Sequence, residues 1–303
     1  MKKVRQIVFL ISFLLMITCQ KESKEEQHIQ NKTEFNNSKE NVSNNLNISI
    51  LLDLSDRIDP KKYSNNSMEF YKRDLGYISN IADNFINHLK SKKVRQIDDK
   101  IQIFFNPEPN NPEINSISKK LKYSISKNNI SQKIYSEIKK SYTDDVSQIY
   151  DLAIADNNYV GSDIWRFFQN KVEDYCIEKD YRNILIILTD GYMYHIETKI
   201  KEDNRTSYLT SKLISNNELN KPNWNEKVID ENFGFLKSNE NLSNLDILVI
   251  GLNPDSKKPY ELDIMKKYWE NWFIEMNVNK FEIKDADLPS NLEKVIKDFI
   301  NKN

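Results

Sequence analysis

The 303-residue chain carries 44 Lys+Arg against 45 Asp+Glu, and only two cysteines. The near-balanced charge excludes a general nucleic-acid binder, which needs a clustered basic surface. Two cysteines exclude a disulfide framework.

The first residues set the compartment. Lys2, Lys3 and Arg5 precede the apolar run Ile7–Ile17, which only Ser12 interrupts. A helix needs about 20 apolar residues to cross a bilayer, so this run is too short for a span. A basic start followed by a short apolar core predicts a secretory signal peptide over residues 1–18. The run ends in Thr18-Cys19 and then Gln20-Lys21-Glu22. This boundary resembles the lipobox of bacterial lipoproteins, with Met16 in place of the usual leucine and Thr18 in place of a smaller residue. The resemblance implies cleavage before Cys19, a fatty-acyl group such as palmitate on that cysteine, and a lipid anchor in a membrane of the cell envelope. Gln20 is not the aspartate that commonly retains such proteins at the inner membrane, and the charged cluster behind it resembles export signals. Both favour the outer membrane or cell surface. The alternative is an ordinary cleaved signal with a chance cysteine. Removing residues 1–18 leaves 41 basic against 45 acidic residues, a formal net charge of −4. Cys176 then has no partner and reads as a small core residue.

Residues 19–46 are polar and rich in charge and amides, with Phe35 the only aromatic. Such a stretch buries too little apolar area to offset its ordering entropy, and is expected to be a flexible tether. Residues 47–303 are enough for one large domain.

In that domain apolar runs alternate with helical spacing. Strands are expected at 47–53, 100–106, 120–125 at an edge, 184–188, 247–250 and 280–283. The spacing predicts helices over 68–90, 131–142, 163–179, 260–277 and 289–300, the first with Leu75, Ile78, Ile81, Phe85 and Leu89 inward. In the helix over 163–179, Ile164, Phe167, Phe168, Val172 and Tyr175 are expected to point inward. Strands alternating with helices predict an α/β fold with a mostly parallel central sheet and helices on both faces. Continuous apolar strands agree, because parallel strands are covered on both sides.

Ligands in such sheets bind at the carboxyl ends of the strands. The first strand ends in Asp53-Leu54-Ser55-Asp56-Arg57, and the most apolar one in Thr189-Asp190-Gly191; between them lies Gly161-Ser162-Asp163. Together these segments make the chain resemble the von Willebrand factor A family, with ILIILTDG as the most specific piece. The resemblance covers most of 47–300. It implies a metal-ion-dependent adhesion site in which Asp53, Ser55, Ser162 and Asp190 hold Mg²⁺ or Mn²⁺, with an open position for an acidic group of a protein partner. Mg²⁺ wants six oxygens at about 2.1 Å, which two hydroxyls, two carboxylates and water can supply.

Arg57 stands where the family has its second serine, and it has no acceptor to offer. Two arrangements follow. Either the side chain swings outward and water replaces the lost ligand, or the guanidinium pairs with Asp53 or Asp190 and does the metal's electrostatic work.

Other chemistry has little support. His28, His88 and His195 are scattered, and there is no nucleophile elbow, Walker loop or dinucleotide fingerprint. His195 is near enough in sequence to Asp190 to approach the site, although a lone histidine is usually structural. About fifty residues, 192–243, separate two strands and should rise beside the Asp53–Asp190 pocket. Tyr192, Met193, Tyr194, Tyr208 and Trp224 give this insertion either interface anchors or a small core of its own. The expectation is a lipid-anchored, non-enzymatic module that binds a protein partner and no nucleic acid. A metal-free scaffold and an Asp-dependent hydrolase are the alternatives.

Overall fold

The computed structural model describes residues 44–302 except Ser256. The expected signal peptide, Cys19 and nearly all of the tether lie outside the described residues. Among the described residues no helix is long and apolar enough to cross a membrane.

Six strands form the central sheet: β1 Leu46–Leu52, β2 Asp98–Phe105, β3 Lys122–Ser126, β4 Arg182–Leu188, β8 Leu245–Leu252 and β9 Lys280–Asp285. Their order is β3-β2-β1-β4-β8-β9. All neighbours run parallel except β3, which pairs antiparallel with β2 at one edge. The sheet is thus mostly parallel, as the apolar runs predict.

Both faces are covered because β-strand side chains alternate. Ile48, Ile50, Leu52, Ile184, Ile186 and Leu188 share one core with α1 (Phe70–Ser91), α4 (Val146–Asp156) and α10 (Pro289–Asn301). Leu51, Leu185, Ile187, Ile247 and Val249 share the other with α5 (Ile164–Asn170), α6 (Val172–Cys176) and α9 (Glu261–Glu275). Ile78, Ile81, Phe85 and Leu89 of α1 are all buried, at the spacing the sequence predicts.

Three details differ from expectation. The helix over 163–179 is two short helices, α5 and α6, meeting at Lys171, and Tyr175 is 46 % exposed rather than inward. The helix near 131–142 is α3 (Gln132–Lys140), which continues through a π turn at Ser141–Asp145 into α4. A further short helix, α2 (Pro112–Lys120), precedes β3. Cys176 is buried, and burial pushes its thiol up to about 12.

The amino end of β1 is clamped. The buried Asp99 carboxylate accepts from Leu46 N (2.7 Å), from the Lys92 ammonium (2.7 Å) and lies 3.0 Å from His88 Nε2. Lys92 also donates to Asn44 O and Asn45 Oδ1. β1 therefore begins at Leu46, one residue before the expected strand.

Candidate functional site

β1 connects through α1 to β2 on one side, while β4 returns on the other. The carboxyl ends of β1 and β4 therefore flank a topological switch, where open α/β sheets leave a crevice. Asp53 N donates to Leu188 O at 3.0 Å, the last rung before the two chains part.

Asp53 is buried with both carboxylate oxygens engaged. Oδ1 accepts from Ser55 N at 2.9 Å, closing a tight turn, and Oδ2 accepts from Thr189 Oγ1 at 2.8 Å. Ser55 itself is half-buried. A 3-10 turn at Asp56–Ile58 then folds Arg57 back inside, where it is 5 % exposed. Its Nε donates to Asp53 O (3.0 Å), and its Nη2 to Leu188 O (3.0 Å) and to Asp74 Oδ2 (2.6 Å). Nε stands 3.7 Å from Asp53 Oδ2. Tyr150 OH donates to the same Asp74 oxygen at 2.9 Å.

The inward arrangement of Arg57 is therefore the observed one, with a partner the sequence reading did not name. Asp74 lies on α1 and Tyr150 on α4, so the guanidinium is drawn toward that helical layer. Burial opposes the Arg57 charge, but Asp74 and then Asp53 outweigh it and hold the group protonated. Burial pushes the Asp74 carboxyl upward, and Arg57 pulls it back. The legible signal was a charged residue on a buried helix face, beside Tyr77 and Ile78.

Asp190 follows β4, and its Oδ1 accepts from Tyr192 N at 3.0 Å. Burial, then the nearby Asp53 charge, push its carboxyl up to about 7, with Arg57 offsetting part of the effect. Gly191 has φ +93°, and a Cβ there would meet Met265 Cε at 2.5 Å, so the Thr-Asp-Gly turn needs its glycine.

Ser162 lies on the loop before α5. Gly161 has φ +86°, and a Cβ there would strike Tyr194 O at 2.5 Å, so the position needs glycine. Ser162 N donates to Tyr194 O at 3.0 Å, which fixes this loop to the segment after Asp190. Ser162 is 4 % exposed, yet its Oγ has no hydrogen-bond partner among the described residues. Asp163 caps α5 through Arg166 N (3.2 Å), and its other oxygen is 3.3 Å from His195 Nδ1. His195 thus holds a helix cap rather than facing Asp190.

Over this end lies a shallow cleft of roughly 380 Å³ lined by Asp56, Lys62, Asn157, Asn158, Tyr159 and Gly161. Asp56 is half-buried and pairs with Lys62 at 3.4 Å. Burial, then Asp56 and Asp190, push up the Tyr63 phenol. The insertion after Asp190 forms two short helices, α7 (Ser211–Asn216) and α8 (Trp224–Asp230). It also forms a small sheet of β5 (Lys201–Glu202), β6 (Arg205–Thr206) and β7 (Gly234–Phe235). Met193 is buried in the core shared with Leu185, Ile187 and α5, Tyr192, Tyr208 and Trp224 are half-buried, and Tyr194 is exposed. Packing is thus the main role of the five residues, and Tyr194 alone stays at the surface.

The Asp53 charge raises the Asp190 carboxyl, and the Ser162 loop is tied through Tyr194 O to the segment following Asp190. Among the described residues no three His, Cys, Asp or Glu side chains gather as a metal-holding group; the expected set has only two carboxylates. No protein-family model matches the chain, and comparisons with curated proteins and with solved structures gave no match.

Proposed function

We propose that this chain is a lipid-anchored bacterial envelope protein, acylated on Cys19, whose von Willebrand A-like domain binds a protein partner at the carboxyl ends of β1 and β4. The observation that supports this reading is the buried Ser162 hydroxyl without a partner, on a loop tied to the segment after Asp190, at the end of the sheet where Asp53 closes β1. A carboxyl raised by burial and then by a neighbouring carboxylate is relieved by a cation, and an orphaned hydroxyl is a ready ligand for one. The residues therefore fit a divalent ion held by Asp53, Ser55, Ser162 and Asp190. Mg²⁺ or Mn²⁺, when bound, supplies an electrophilic position for an acidic group of the partner. Ser55 and Ser162 offer neutral oxygens, Thr189 and the Ser55 amide orient Asp53, and the Tyr192 amide orients Asp190.

Arg57 favours a second reading, a metal-free scaffold. Its fixed charge lies 3.7 Å from Asp53 Oδ2 and opposes any ion placed there. Calorimetric titration of the protein with Mn²⁺ separates the two. Saturable binding that Asp190→Ala abolishes and Ser162→Ala weakens supports the metal site; no heat in the parent supports the scaffold. The anchor has its own test. Palmitate labelling should depend on Cys19, and Cys19→Ala should release soluble protein or leave an unprocessed precursor.

A further inference from the structure

A second concave site lies on the other side of β1, where β2 meets the edge strand β3. It is a cavity of roughly 150 Å³ enclosed by the ends of β2 and β3, the last turn of α2 and the α5–α6 corner. Its wall is aromatic. Phe104 packs against Phe167 at 6.1 Å between ring centroids and edge-on against Tyr175 at 5.3 Å. Tyr175 is the residue expected in the core and found 46 % exposed; its ring serves this cavity instead.

The rim is cationic. Lys119, Lys122 and Lys171 all line the site, and none has a carboxylate within ion-pair distance among the described residues. Lys122 Nζ sits 4.9 Å from the Phe104 ring centroid and 5.8 Å from that of Tyr175, so among the described residues its ammonium faces π systems and no acid. Lys171 donates to the neutral amide oxygen of Asn106 at 2.9 Å. Glu108 is the one acid at the rim, which leaves an excess of positive charge over an apolar floor. A cavity of about 150 Å³ holds one benzene-sized ring, and an ammonium is a natural counter-charge for a carboxylate attached to that ring.

We propose that this cleft binds a small aromatic monocarboxylate, with its ring against Phe104, Phe167 and Tyr175 and its carboxylate on the lysine rim. The inference is independent of any reading of Asp53 and Asp190.

The probe is 3-phenylpropionate, titrated into the full chain with ligand-observed NMR. 3-Phenylpropanol and 3-phenylpropylamine serve as neutral and cationic counterparts of the same shape. Saturable binding is expected for the acid, with the alcohol about tenfold weaker, the worth of a charge-assisted hydrogen bond, and the amine weaker still. Lys122→Gln with Lys171→Gln should weaken the acid by about tenfold and leave the alcohol unchanged. Tyr175→Ala should weaken both. Equal binding of acid and alcohol, acid binding indifferent to the two lysines, or no saturable binding overturns the proposal. If the double variant fails to fold, the three-ligand comparison on the parent decides alone.

Discussion

The Arg57 guanidinium donates to the Asp74 carboxylate across 2.6 Å, with both side chains almost wholly buried. This pair joins the turn after β1 to α1, and through Tyr150 to α4. Removing one member leaves the other charge buried without compensation, at a cost of about 3–5 kcal/mol. Arg57→Ser should therefore be strongly destabilising in chemical denaturation. Arg57→Ser with Asp74→Asn should recover much of the loss. Equal stability of single and double variants would show that the charge pair is not what the site depends on.

The same double variant bears on the divalent ion. Like charges about 4 Å apart repel by roughly 4 kcal/mol at an effective dielectric of 20, and Arg57 stands 3.7 Å from Asp53 Oδ2. Replacing both charged residues removes that repulsion and places a hydroxyl at position 57. Mn²⁺ affinity by calorimetry should rise by about tenfold, a fraction of that upper bound. An unchanged affinity would mean that the guanidinium does not oppose the ion.

Asp190 gives a pH dependence of definite sign. Its carboxyl is raised from 3.8 to about 7 in the folded protein. Between those values the native state keeps a proton that the unfolded chain has lost. Stability therefore falls as pH rises through this window and levels off above it. Without divalent ions, Asp190→Asn should remove that slope in denaturation curves measured from pH 4 to 8. A slope that survives the substitution assigns it to another group.

Asp99 should behave in the opposite way. Burial pushes its carboxyl up, but hydrogen bonds from His88, Lys92 and the Leu46 amide outweigh burial and hold it below the usual carboxylate value. Its contribution is complete at and above the ordinary range and is lost as pH falls below it. Asp99→Asn should cost about 3 kcal/mol at neutral pH, because Lys92 is left buried without its counter-charge. The variant should show a shallower acid limb than the parent.

The sheet and most of its helices were legible because parallel strands buried on both sides read as unbroken apolar runs, and ILIIL and ILVI have no other good interpretation. Asp53 and Asp190 were legible for the related reason that polar residues closing such runs must sit at strand ends. Asp74 and Tyr150 were not. Their meeting depends on α1 and α4 packing side by side, and α4 carries little contrast between its faces. Tyr175 was misplaced because Lys171 breaks one helix into two, which turns the ring by a fraction of a turn onto the surface. Whether Arg57 points in or out is a contest between burial and a partner seventeen residues away, which spacing along the chain does not decide.

β1 has its clamp of Asp99 and Lys92 at one end and Asp53 at the other, seven residues or roughly 23 Å away at about 3.3 Å each. It is paired along that length with β2 and β4 in unbroken register. A pulling force applied between Asn44 and Asp53 runs along the strand axis, at right angles to its rungs. It loads the ladders on both sides in shear and together, so they yield as a set instead of unzipping one by one. Tension delivered from the amino-terminal side is carried through the middle of the sheet, along a strand bonded on both sides, to the crevice at Asp53 and Asp190.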